Sequence, residues 1–281
     1  MLDARLHAAR DDLADRRLAG QVESRRFVEG EAAQVATACA PLRGQPARER
    51  PLDSELLFGE GVLVFERRDG WAWVQSRHDG YVGYVPADAL AEPYAAPSRR
   101  VAVRQTPLFT DATIKAPART LLPFGSRIEP IGERNGLVEV AGGGWLFPDH
   151  LEPLDRPRPD PVATAHLLLG LPYVWGGRSG FGADCSGLVQ LCLDASGIAC
   201  PRDSDMQEGT DACGDRLPPD SPRRYGDLLF WPGHVAFALD EHRLIHATAH
   251  GLIARIEPVA AVETRVRAAG GRGLRTLRRR S

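Results

Sequence analysis

Lysine is all but missing from this chain. Lys115 is the only one among 35 basic residues, an arginine bias that reads as genome composition and carries no mechanism. Positive charge is not in excess either. The 35 Lys and Arg face 37 Asp and Glu, a net charge of −2, which argues against nucleic acid or an anionic membrane as the main partner. No run of about 18 apolar residues occurs, so no membrane partner is expected. The start, Met1-Leu-Asp-Ala-Arg-Leu-His-Ala-Ala-Arg-Asp-Asp, lacks the apolar core and cleavage site of a secretory signal, and the expectation is a cytoplasmic protein. Cysteines are few and odd in number (39, 185, 192, 200 and 213), with no C-x-x-C spacing. A disulfide framework and a structural zinc site are both poorly supported, and reduced thiols are expected.

What remains is ample for two or three domains: 281 residues with 43% hydrophobic content, enough to fill a packed core. Residues 1–32 are charged, with irregularly spaced leucines, and read as a short helix or extended arm packed on the rest. From 33 the texture turns to short β-branched and aromatic runs. Val62-Leu-Val-Phe-Glu, Trp71-Ala-Trp-Val-Gln and Tyr81-Val-Gly-Tyr-Val-Pro are strand-like, and Arg68-Asp69-Gly70 and His78-Asp79-Gly80 supply turns. This stretch repeats. Leu56-Leu57-Phe58-Gly59-Glu60 is echoed by Leu121-Leu122-Pro123-Phe124-Gly125-Ser126, and Gly83-Tyr84-Val85-Pro86-Ala87-Asp88 by Gly144-Trp145-Leu146-Phe147-Pro148-Asp149. An offset of roughly 60 residues is one small barrel, so two barrels in tandem are predicted, at 33–95 and 96–155. They resemble bacterial SH3-like domains.

A proline-rich linker, Leu154-Asp-Arg-Pro-Arg-Pro-Asp-Pro, separates the barrels from residues 156–281. There His166–Gly170 suggests a helix ended by glycine, and a second helix starts at Asp184-Cys185-Ser186-Gly187. Three strands follow, near 228–231, 234–239 and 243–246. Helices first and a mostly antiparallel sheet after is an α+β order. Seven arginines between Arg265 and Arg280 read as a solvated, partly disordered tail, with an anion-binding role as the alternative.

Leu188, Leu191, Cys192 and Ala195 fall on one face of a helix, which puts Cys185 in its first turn. Free N–H groups and the positive dipole end there favour a thiolate. A thiolate needs a base, and the base an orienting partner. His234 is the candidate base: on a strand it shares a face with Ala236 and Ala238, whose small size leaves space for a substrate or a neighbouring side chain. His246, bracketed by Ile245 and Ala247, suits a buried group that fixes the His234 tautomer. A lone cysteine or histidine in such places is more often structural, so the constellation carries the reading.

Five motifs in order complete it: Pro172-Tyr173-Val174-Trp175-Gly176-Gly177, Asp184-Cys185-Ser186-Gly187-Leu188-Val189, Pro201-Arg202-Asp203-Ser204-Asp205-Met206-Gln207, Gly226-Asp227-Leu228-Leu229-Phe230 and Gly233-His234-Val235. With them, residues 156–281 resemble the NlpC-type family of bacterial cell-wall cysteine peptidases, whose fold is papain-like. The resemblance implies Cys185 as nucleophile, His234 as base, His246 as third polar residue and Tyr173 as a hydroxyl that helps hold the oxyanion. It implies no metal and no organic cofactor.

The whole chain is similar to a subgroup in which two SH3-like domains precede the peptidase: γ-D-glutamyl-L-diamino-acid endopeptidases of murein peptide recycling. That implies a free murein peptide such as L-Ala-γ-D-Glu-diaminopimelate as substrate, with the first barrel restricting the site to a free N-terminal L-alanine. Glu60 and Tyr81 (with Tyr84 as alternative) are the barrel's implied contributors to the amine pocket, and Asp184 the peptidase's. Ser186 and Ser204 would hydrogen-bond the peptide, and Arg202 would either pair a substrate carboxylate or brace its loop. The rival readings are an exported hydrolase of intact stem peptides, a non-catalytic wall-ligand-binding protein and a lipid amidase or acyltransferase.

Overall fold

The computed structural model describes residues 2–93 and 96–280. The chain divides into two units, residues 1–155 and 156–281, with the break inside the proline-rich linker.

In the first unit the tandem repeat is written into the hydrogen bonds. Gly59 N–H donates to Val35 C=O and Val35 N–H to Glu60 C=O; Gly125 and Val101 repeat the first bond, Val101 and Ser126 the second. Each barrel then closes on a short 3-10 turn, Ala87–Ala89 and Pro148–His150. The first barrel's main sheet joins Val82–Pro86, Trp71–Ser76, Gly61–Arg68, Glu31–Val35 and Leu90–Ala91 in that order, with Cys39–Leu42 and Ser54–Leu57 as a separate pair. Its first strand starts at Glu31, ahead of the expected boundary at 33. Phe58 is buried among Val101, Leu108, Leu122, Ile128, Val140 and Leu146 of the second barrel, so the loop after one barrel's strand pair plugs the core of the next.

Residues 2–30 form an extended arm with a 3-10 turn, Arg16–Leu18, and a short parallel strand pair, Ala14–Asp15 with Phe27–Val28. It is held by packing. Ala8 and Leu13 are buried against Phe65 and Trp73, and the Arg10 guanidinium lies 4.3 Å from the Trp73 ring centre while bonding Tyr84 and Glu66.

The second unit has the α+β composition expected. Asp160 caps the helix Pro161–Leu167, with proline at the position where its missing N–H costs nothing. A six-stranded antiparallel sheet runs in the order Asp215–Leu217, Thr276–Arg279, Leu228–Trp231, His234–Ala238, Arg243–Thr248, Ile253–Pro258. One expectation is corrected here and one alternative is decided. The arginine-rich end is not a solvated tail: Thr276–Arg279 is an interior strand, Arg278 is buried on the carbonyls of Glu208 and Gly214 and on Asp211, and Arg279 forks onto Asp227. Of the two occupants open to the space beside Ala236 and Ala238, neighbouring side chains fill it: both alanines are fully buried against Val259 and Val262 of the helix Val259–Ala268. Their small side chains let that helix approach the sheet. No helix among the described residues is long and apolar enough to cross a membrane.

Candidate active site

The helix Cys185–Ala195 is capped by Asp184, whose Oδ1 accepts the Gly187 N–H at 2.7 Å. Gly187 is required by close approach, since a Cβ there would strike the Gly177 carbonyl oxygen. The cap therefore fixes Cys185 at the helix start, as the sequence predicts. Its sulfur rests against the backbone on both sides of His234, 3.9 Å from the Gly233 carbonyl oxygen and within reach of the Val235 N–H.

From His234 a line of hydrogen bonds runs across the sheet. His234 Nε2 lies 2.7 Å from His246 Nδ1, and His246 Nε2 lies 3.2 Å from Glu257 Oε2. Strand register makes this possible: His246 sits opposite Arg255, one pleat from Glu257, so the two side chains share a face. Glu257 is also paired with Arg265 and Arg255. Sequence reasoning missed it. The available signal was weak, an acidic residue at the end of the strand Ile253–Pro258.

Electrostatics at rest keep both reacting groups neutral. Burial, with Asp184 adding to it, pushes the Cys185 thiol up to about 12. Burial, with His246 and Arg265 adding to it, brings His234 down to about 3, and His246 falls to about 4 despite Glu257. The expected stabilisation of a thiolate by the helix start is therefore outweighed by desolvation. Glu257 itself is pushed up by burial, yet Arg265, His246 and Arg255 outweigh that and hold it below the usual carboxylate range. Tyr173 is half-buried and forms a β-bridge with Ala183, two residues ahead of the nucleophile; burial first, then Cys185 and Asp184, raise its hydroxyl.

Asp184, Ser186 and Arg202 form one buried network. Asp184 accepts the N–H of Gly176 and Gly187, both Nη atoms of Arg202 and the Ser186 hydroxyl. Arg202 also reaches Ser186 Oγ and the Gly177 carbonyl. Of the two roles open to Arg202, it braces the loop. The polar atoms of Asp184 and Ser186 thus hold the nucleophile's helix. Ser204 stands half-buried at the first position of the short helix Ser204–Gly209.

In the first unit Glu60 is buried and accepts the Leu57 N–H at 2.8 Å, in a turn that also lines a cavity with Gln34, Arg77 and Arg127. Tyr81 is buried too. Register brings the two to the same end of the barrel: Val62 stands opposite Ser76 and Gln75 opposite Val82. Tyr84, the alternative to Tyr81, is taken up by Arg10 instead. Among the described residues no cluster of His, Cys, Asp or Glu could hold a metal ion, and the five cysteines are free thiols.

Comparison with known proteins gives this geometry a family. Residues 170–266 match the NlpC/P60 family, and residues 42–90 match the bacterial dipeptidyl-peptidase Sh3 domain. The chain carries an NlpC/P60 domain. Its papain-like fold follows an SH3-like N-terminal region. Among curated relatives, the γ-D-glutamyl-L-lysine dipeptidyl-peptidase of Bacillus subtilis is 29% identical over 71% of this chain and 73% of its own length. The Bacillus cereus protein of that name is 27% identical over 70% and 67%. Dipeptidyl-peptidase 6 of Lysinibacillus sphaericus is 27% identical over 77% and 88%. A crystal structure of an NlpC/P60 family protein from Bacillus cereus superposes over 89% of this chain and 99% of that one with a TM-score of 0.74, at 22% identity, a likeness of fold.

Proposed function

We propose that this NlpC/P60 protein is a cysteine peptidase that hydrolyses the γ-D-glutamyl–L-diamino-acid bond of free murein peptides with an N-terminal L-alanine. Diaminopimelate is the expected residue on the far side of the bond, and recycling of cell-wall peptides in the cytoplasm is the setting. The observation that carries the reading is the line from His234 through His246 to Glu257, beside a cysteine fixed at a helix start. The names of the curated relatives support the bond type.

With His234 Nε2 engaged by His246, Nδ1 is the ring nitrogen free to act as base. It takes the Cys185 proton as the sulfur attacks the amide carbonyl carbon. The backbone N–H of Cys185 and the Tyr173 hydroxyl hold the oxyanion; one such donor is typically worth about 2.7–4 kcal/mol in the transition state. His234 then returns the proton to the leaving amine nitrogen as the C–N bond breaks. Water, deprotonated by the same nitrogen, hydrolyses the thioester and restores the thiol.

The test is to incubate the full chain with L-Ala-γ-D-Glu-meso-diaminopimelate, its L-lysine counterpart and the N-acetylated form of each. Release of L-Ala-D-Glu from the free peptides, abolished in Cys185→Ala, is the expected result. No release from any peptide would overturn the proposal. Equal cleavage of the acetylated forms would favour a hydrolase of intact stem peptides, and cell fractionation would decide the compartment.

A further inference from the structure

We propose that Glu257 is a positioning residue for catalysis: by accepting the His246 Nε2 proton it sets the tautomers of both histidines and leaves His234 Nδ1 unprotonated. This deepens the proposed function and rests on it for the activity readout alone.

Tautomer logic follows from the donors and acceptors in the line. A neutral imidazole carries one N–H and one lone pair. Glu257, ionised between Arg255 and Arg265, can only accept, so His246 must place its proton on Nε2. His246 Nδ1 is then an acceptor, and the 2.7 Å contact requires His234 to donate from Nε2. Only with this chain of assignments does His234 present a lone pair on Nδ1. Reverse it and His234 would offer a proton to a thiol that must lose one. A histidine in the third position has two interchangeable nitrogens, so it cannot fix the base by itself. It needs a group beyond it that is acceptor-only, and that group is Glu257.

The surroundings fit this role. His246 and Glu257 are both almost wholly buried, so water does not compete for the His246 proton. The same carboxylate counters the imidazolium that forms when His234 takes the thiol proton, at one remove through His246.

Nitrogen-15 NMR of the histidine rings tests the assignment in the unmodified protein. Both His234 and His246 should be in the Nε2–H form at neutral pH. Finding His246 in the Nδ1–H form would overturn the inference, whatever the protein hydrolyses. The variants separate positioning from scaffolding. Glu257→Leu removes the acceptor: a mixture of tautomers is expected, with kcat lowered about 100-fold or more, KM little changed and the acid limb of the pH profile moved lower. Glu257→Gln can keep its carbonyl oxygen on His246, while its NH2, a donor that cannot accept from a guanidinium, faces Arg255, which at 40% exposure can turn to water. It should restore the Nε2–H form and bring kcat to within about tenfold of the parent. A purely scaffolding Glu257 would lower stability in Glu257→Leu while leaving tautomers and kcat alone, and that result would also overturn the inference. A tautomer change in a protein that cleaves no γ-D-glutamyl peptide would sink the proposed substrate and leave this assignment standing.

Discussion

Arg202 grips Asp184 with a two-pronged fork: Nη1 to Oδ1 at 2.9 Å and Nη2 to Oδ2 at 2.7 Å, with the arginine 1% exposed. Asp184 in turn caps the nucleophile's helix. A charge pair this deep is costly to break from one side, because the remaining charge is left buried without a counter-charge.

Arg202→Ala should therefore destabilise the peptidase unit by about 3–5 kcal/mol. Arg202→Lys should recover part of that, since an ammonium restores charge but not the planar fork. Urea titration of the full chain reads both. An Arg202→Ala protein as stable as the parent would show that the pair contributes no net stability.

The two histidines make the fold acid-sensitive. Both are pushed below their ordinary 6.5, to about 3 for His234 and about 4 for His246, burial being the first cause in each. The folded chain thus binds fewer protons than the unfolded one between those values. Their contribution is full above pH 6.5 and is lost as pH falls toward 4 and 3. His246→Asn removes one such group, so its melting temperature should fall less between pH 7 and pH 4.5 than the parent's. Differential scanning calorimetry at the two pH values measures this; equal falls would contradict the burial argument.

Much of this was legible in advance because it is local. A cysteine after an aspartate cap, a strand carrying His234 and a repeated Phe-Gly turn all declare themselves within a few residues, and the papain-like α+β fold with an SH3-like domain ahead of it is the one those patterns suggest. Three things were hidden because they depend on partners far away in sequence. Ile256 is 38% exposed while Glu257 beside it is 3% exposed, the reverse of what hydropathy suggests, and only the fold supplies the arginines that justify burying the carboxylate. The closing arginines look solvated until Glu208, Asp211, Gly214 and Asp227 are seen around them. Whether substrate or a side chain takes the space beside Ala236 and Ala238 is decided only by Val259 and Val262.

The Phe58 plug depends on the turn that follows it. Gly59 has φ +78°, and a Cβ there would run into the Arg127 backbone carbonyl, whereas Gly70, at φ +79°, has open space around it. Gly70→Ala should then cost about 1–2 kcal/mol for the left-handed backbone alone. Gly59→Ala should cost clearly more, because the clash adds to the same conformational penalty. Thermal unfolding of the two variants side by side isolates the clash; equal losses would mean that the barrels can part at this point without penalty.

The neutral resting pair makes a prediction about Cys185 chemistry. If the sulfur sat as a thiolate beside an imidazolium, its alkylation rate would rise at low pH and level off by neutrality. Burial instead holds the thiol near 12 and the imidazole near 3, so the thiolate fraction is small at pH 7. Alkylation of Cys185 by iodoacetamide, followed by mass spectrometry, should be slow at pH 7 and still climbing beyond pH 9, where an ordinary free thiol already flattens. His234→Ala should leave that resting profile nearly unchanged while removing peptidase activity, because the imidazole acts only when substrate is attacked. A plateau already reached by pH 6, lost in His234→Ala, would establish an ion pair at rest and shift the proton transfer to before substrate binding.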